Sequence, residues 1–176
     1  MKLIYWVLAL LLIIAICLVL IVVGPESAGT TGSVHEQFPA MRIGGDGASR
    51  YLPVQMLTLI LQSAAIVLFG VLLYLGVNER HRSLRARAWI ASGSAASVLV
   101  WWAIAASYSE FLETGTTKMV LGFPVATAFT VFGLWLSGFV LVLGYVFGYR
   151  SFIFTSDDEV RYKELVEKVR RERDQH

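Results

Sequence analysis

The sequence predicts an all-α integral membrane protein with four transmembrane helices and a C-terminal amphipathic cytoplasmic helix, on three observations. Hydrophobic residues make up 56% of the chain and charged residues only 16%, against about a quarter charged in a typical soluble domain. Four uncharged stretches, Leu3–Val23, Leu52–Val77, Ala88–Tyr108 and Met119–Tyr149, each reach the roughly 20 residues that a bilayer crossing needs. From residue 151 the chain turns abruptly polar. The division is therefore a membrane domain over 1–150 and a helical tail over 151–176.

The first span follows Lys2 and is rich in leucine. Its apolar core exceeds the roughly 7 to 15 residues of a signal peptide, and "GPESAGT" lacks a convincing small-x-small cleavage site. A retained helix is expected, with cleavage as the alternative. Cys17, the sole cysteine, lies inside this run. That leaves neither a disulfide framework nor a thiolate metal cluster, and a thiol among apolar neighbours behaves as a small hydrophobe.

Orientation follows from lysine and arginine near the span ends. Lys2, the loop arginines 80, 82, 85 and 87, Arg150 and six residues of the tail would all fall on the cytoplasmic side if both termini lie inside; only Arg42, Arg50 and Lys118 would fall outside. Residues 24–51 then form an extracytoplasmic loop, extended and with a tight turn at Gly44, Gly45, Asp46 and Gly47. Those glycines lack the Lys-Ser/Thr ending and following helix of a phosphate-binding loop.

Small residues recur four apart in the third and fourth spans: Gly93 with Ser97, Gly133 with Ser137, Gly144 with Gly148. Such pairs share a helix face and let backbones approach closely in lipid. Their partner is either a helix of this chain or another protein, including a second copy. Gln55, Gln62, Ser63, Ser92 and Ser94 are read as hydrogen-bonding glue between helices, and Trp101, Trp102 and Tyr108 as interfacial anchors.

As one helix, Met119–Tyr149 would run about 46 Å against a hydrocarbon core of about 30 Å. A start near Pro124 shortens it to about 39 Å, which tilt accommodates. Gly122, Phe123 and Pro124 therefore read as a structural helix start, with proline in the first turn and Gly122 bending the chain before it. In the tail, Ser156 and Glu159 match a capping box, Glu159–Lys163 and Glu164–Lys168 are favourable i, i+4 pairs, and Tyr162, Leu165, Val166 and Val169 form one apolar stripe. Such a stripe seeks a surface, either lipid headgroups or a larger protein.

The composition argues against several functions. A formal charge of +2 without a basic, aromatic-laced patch gives no nucleic-acid footprint. His35, His81 and His176 all lie outside the spans, so no haem ligation is predicted. His35 beside Glu36 falls short of a metal-ligand set. No lysine, arginine, aspartate or glutamate lies deep in a span, which disfavours a stand-alone pump or transporter. Glu110 and Glu113 are read as exposed helix-end carboxylates. No nucleophile–base pair is visible, so neither catalysis, cofactor nor metal is predicted.

The segment from about Trp89 to Phe152 contains "SYSEFL", a short loop and "VLGFPVATAFTVFGLWLSGFVLVLGYVFGYR". It resembles the small subunit of two-component sodium:solute symporters, which has two helices and a Gly-Phe-Pro-like start to the second. The resemblance implies an accessory partner of a larger transport subunit in a bacterial inner membrane, with substrate and sodium sites on the large subunit. It implies a structural role for Gly122, Phe123 and Pro124. Two additional N-terminal spans, the external loop and the longer charged tail depart from that pattern. Alternatives are the four-span small subunit of a tripartite transporter and a non-transport scaffold or respiratory-complex subunit.

Overall fold

The computed structural model describes residues 2–24, 33–38, 40–43 and 47–174. It is mostly helical, with four helices long and apolar enough to cross a membrane. In chain order the elements are α1 (Lys2–Val23), the two-residue strands β1 (Ser33–Val34) and β2 (Arg42–Ile43), α2 (Gly47–Tyr51), α3 (Gln55–Gly76), α4 (Leu84–Thr114), strands β3 (Met119–Val120) and β4 (Phe123–Pro124), α5 (Val125–Ala128), α6 (Leu134–Gly148) and α7 (Ser156–Asp174). A 3-10 turn at Leu52–Val54 joins α2 to α3, and π-helical turns at Phe129–Gly133 and Tyr149–Ile153 flank α6.

The long helices pack mainly in chain order: α1 on α3, α3 on α4, and α4 on α6. Few side chains are withdrawn from the surface. Cys17 is buried on α1, and Ile90, Gly93, Ser97 and Ala105 on α4. Large apolar side chains such as Trp135 and Phe147 remain 79% exposed. A soluble monomer does not carry so much contiguous apolar surface.

Helix ends are set by local chemistry. Ser83 precedes α4 in an extended conformation, and its hydroxyl accepts from the Ala86 amide, satisfying one of the free first-turn donors. Gly115, with φ of 66°, ends α4 in the left-handed conformation that glycine adopts without a Cβ penalty. α4 thus runs about 46 Å, past both ends of the span expected at 88–108, and carries Glu110 and Glu113 in its closing turns.

Two expected loops contain short hairpins. β1 and β2 pair antiparallel, Ser33 with Ile43 and Val34 with Arg42, so the loop over 24–51 is not extended throughout. Of its expected turn, Gly44–Asp46 lie outside the described residues, while Gly47 opens α2. The second hairpin corrects the start of the fourth span. Met119 pairs with Pro124 and Val120 with Phe123, and the turn residues Leu121 and Gly122 have φ of 51° and 81°. Both values are positive, as in a type I′ hairpin turn. Pro124 is the residue before the first helical turn rather than within it, and the continuous helical run begins at Val125.

Candidate functional site

Three regions carry non-local geometry: the α4–α6 seam, the α3–α4 seam and the junction where the α3–α4 loop meets α7. At the first seam, all six small residues of the sequence pattern lie on α4 or α6 or at the π turn before α6. A methyl group on Gly93 would overlap Leu141, one on Gly144 would overlap the Trp89 indole, and one on Gly133 would lie 3.0 Å from Cγ1 of Val100. Ser97 and Ser137 are buried, their hydroxyls donating to the Gly93 and Leu134 carbonyls of their own helices. Gly148 is buried one turn beyond Gly144. Gly93, Gly144 and Gly133 thus each meet a large side chain of the facing helix of this same chain, and Trp89 Nε1 donates across the seam to the Val140 carbonyl at 3.0 Å.

The other seam, α3–α4, is held by polar side chains. Gln55 Nε2 donates to Ser109 Oγ at 2.7 Å, and Trp102 Nε1 donates to Ser63 Oγ at 3.0 Å. Trp102 therefore binds a helix as well as presenting an aromatic surface. Tyr51 meets Tyr108 edge-on at 5.0 Å between ring centres. Ser92 bonds within its own helix, whereas Ser94 Oγ and Trp101 Nε1 are buried without a partner among the described residues.

The junction is built from three consecutive residues, His81, Arg82 and Ser83. Arg82 donates from Nε to the Val77 carbonyl at 3.1 Å and from Nη2 to Leu75 at 3.3 Å, closing the carbonyl end of α3 with a cation where the helix dipole is negative. Ser83 caps α4. His81 Nε2 lies 2.9 Å from Asp158 Oδ2, tying the loop to the first turn of α7. A second tie runs from Arg150 to Glu159 at 3.4 Å.

The start of α7 is capped one residue earlier than the sequence pattern indicates. Thr155 precedes the first helical residue; its amide donates to Asp158 Oδ2 at 3.1 Å and its hydroxyl faces the Asp158 amide at 3.4 Å. This is the reciprocal capping-box arrangement, formed by Thr155 and Asp158 instead of Ser156 and Glu159. The Asp158 carboxyl is held below its ordinary range, first by the Thr155 amide, then by the Thr155 hydroxyl, with His81 contributing less. Glu159, released from capping, pairs with Lys163 at 3.0 Å, and this cation is the main cause of its lowered pKa. The expected Glu164–Lys168 pair is absent among the described residues; Glu167 pairs with Arg171 at 3.6 Å instead.

Past this capped start, Tyr162, Leu165, Val166 and Val169 are all exposed, with Leu165 at 62%. No described element covers them. Phe123 packs edge-on against Phe132 at 6.0 Å, while Leu121 at the hairpin tip stands out from the surface. No group of three or more metal-ligating residues occurs among the described residues; His35 Nδ1 accepts from the Gln37 amide. His176 lies outside the described residues.

Sequence reasoning missed Trp89, His81 and Arg82 as structural ties. A signal existed for Trp89 alone, since a large side chain must occupy the space that a glycine stripe leaves. No protein-family model matches the chain, nor does any curated protein or solved structure.

Proposed function

We propose that the chain is a non-catalytic accessory subunit of a secondary, sodium-coupled solute transporter. It sits as a multi-pass protein in a bacterial inner membrane with both termini cytoplasmic, and stabilises or orients a larger transport subunit. The observation that carries this reading is α7, whose apolar stripe is uncovered while its first turn is fixed to the membrane domain through His81–Asp158 and Arg150–Glu159. Each tie is weak by itself, but together with the cap they orient the helix. A mere solvated stalk has no need of four apolar residues on one face.

The arginine-rich α3–α4 loop and tail favour the cytoplasmic placement of that end. The glycines of the α4 and α6 stripes are covered by Leu141, Trp89 and Val100 of the facing helix, so the partner's contact on the membrane helices falls to the outer face of α6, where Trp135 and Phe139 stand exposed. The similarity of residues 89–152 to symporter small subunits points the same way.

Affinity purification of the full chain from its native membrane in mild detergent tests the reading. It predicts recovery of a larger polytopic transport protein in fixed stoichiometry, and reduced sodium-dependent uptake by that protein when this chain is deleted. Recovery of only monomer or homo-oligomer counts against it, and recovery with a soluble solute-binding protein assigns the chain to a tripartite system instead.

A further inference from the structure

A groove of about 660 Å³ runs between α3 and α4, with Leu3 of α1 at one end. Along α4 its wall is two adjacent rows, Ile90, Ser94 and Val98 beside Arg87, Ala91, Ala95 and Leu99, the members of each row spaced about one turn apart. From Arg87 to Leu99 the helix rises about 18 Å, close to one leaflet of a hydrocarbon core about 30 Å thick. The groove exists because alanines stand where larger residues would close it, while at its floor Ser94 of α4 packs directly on Gly70 of α3. Its lining is almost wholly apolar except at the arginine-rich end. There Arg87 is exposed, makes no ion pair among the described residues, and stands in the first turn of α4, at the positive end of the helix dipole.

We propose that this groove seats one acyl chain of an anionic phospholipid whose phosphate rests on Arg87. The two halves of the ligand match the two parts of the site: a leaflet-deep apolar trough and an unpaired cation where the headgroup layer would lie. Basic pockets between membrane helices recognise anionic headgroups in this way. The inference rests on the membrane reading of the four helices and is independent of the transporter-subunit reading. A second groove of about 620 Å³ on the other flank of α4 has Arg85 at its rim. Its α4 wall extends only from Arg85 to Ser92, about 10 Å, which is too short to hold a leaflet-length chain.

Native mass spectrometry of the full chain, released from detergent containing equal phosphatidylglycerol and phosphatidylcholine with identical acyl chains, tests the site. The wild type should retain one phosphatidylglycerol in preference to phosphatidylcholine. Arg87→Gln should weaken that preference about fivefold, the effect of one surface arginine on an anionic headgroup, and Arg85→Gln should leave it nearly unchanged. Ala95→Phe should expel both lipids; Ala91→Val serves the same purpose if that variant unfolds. Equal losses in the two arginine variants would reduce the effect to a diffuse basic surface and overturn the site. So would displacement by soluble glycerol phosphate, which would show an ion site without an acyl chain, or a dimer abolished by Ala95→Phe, which would give the groove to a second copy.

Discussion

The indole of Trp89 covers Gly144 so closely that a methyl group there would overlap it, and its Nε1 donates to the Val140 carbonyl one turn earlier. This contact combines close packing and a hydrogen bond across the seam between α4 and α6. Packing and hydrogen bonding can be separated by mutation. Trp89→Phe keeps most of the ring and should cost about 0.6 kcal/mol, the average for an interhelical hydrogen bond in a membrane protein. Gly144→Val forces the helices apart and should cost about 1–3 kcal/mol as an overpacked seam. Unfolding of the purified protein by denaturing detergent measures both, and a larger loss for Trp89→Phe would contradict the packing account.

Gly122 and Gly138 make opposite predictions. Gly122 has open space around it but φ of 81°, whereas Gly138 has open space and no positive φ. Gly122→Ala should destabilise the hairpin by about 1–2 kcal/mol, the cost of a side chain in the left-handed region, and Gly122→Asn should recover part of that loss. Gly138→Ala should be neutral or stabilising by up to about 1 kcal/mol, from helix propensity. Thermal unfolding of the three variants, with amide exchange at residues 119–123 to localise the effect, provides the check.

Asp158 sets the acid response of the α7 anchor. Its carboxyl pKa is depressed below the unfolded value of 3.8, chiefly by the Thr155 amide and hydroxyl. The stabilisation is therefore complete well above pH 3.8 and is lost as pH falls through the lower, folded value. The amide proton resonance of Thr155, which donates directly to this carboxylate, should show an acid transition with a midpoint under 3.8. Asp158→Asn should abolish the transition. A midpoint above 3.8 would contradict the cap geometry.

Local patterns were legible in the sequence, and distant contacts were not. Hydropathy located four helices of membrane-spanning length, and the i, i+4 rule found Glu159–Lys163, because both depend on neighbours along one helix. The α7 cap lies one residue from the sequence-based position, since Thr155 and Ser156 are both capping residues, with serine the slightly better by intrinsic preference, and Asp158 and Glu159 are both acids in the first turn. The 119–124 hairpin was hidden within an uncharged run that hydropathy alone reads as helix, although Gly122 marked the bend. The His81–Asp158 tie spans 77 positions, and nothing local distinguishes His81 from the surrounding topological charges. The glycine stripe implies a large side chain opposite it, but that this is Trp89 depends on which helix packs there.

The central claim, that α7 offers its apolar face to a larger membrane partner, is tested most directly by a photocrosslinking amino acid at Leu165, exposed at the centre of the stripe. In native membranes the account predicts a single adduct with a large polytopic transport protein, lost when Val166 and Val169 are changed to glutamate while thermal unfolding of the membrane domain is unaltered. Labelling of lipid alone, or of a second copy of this chain alone, would contradict it.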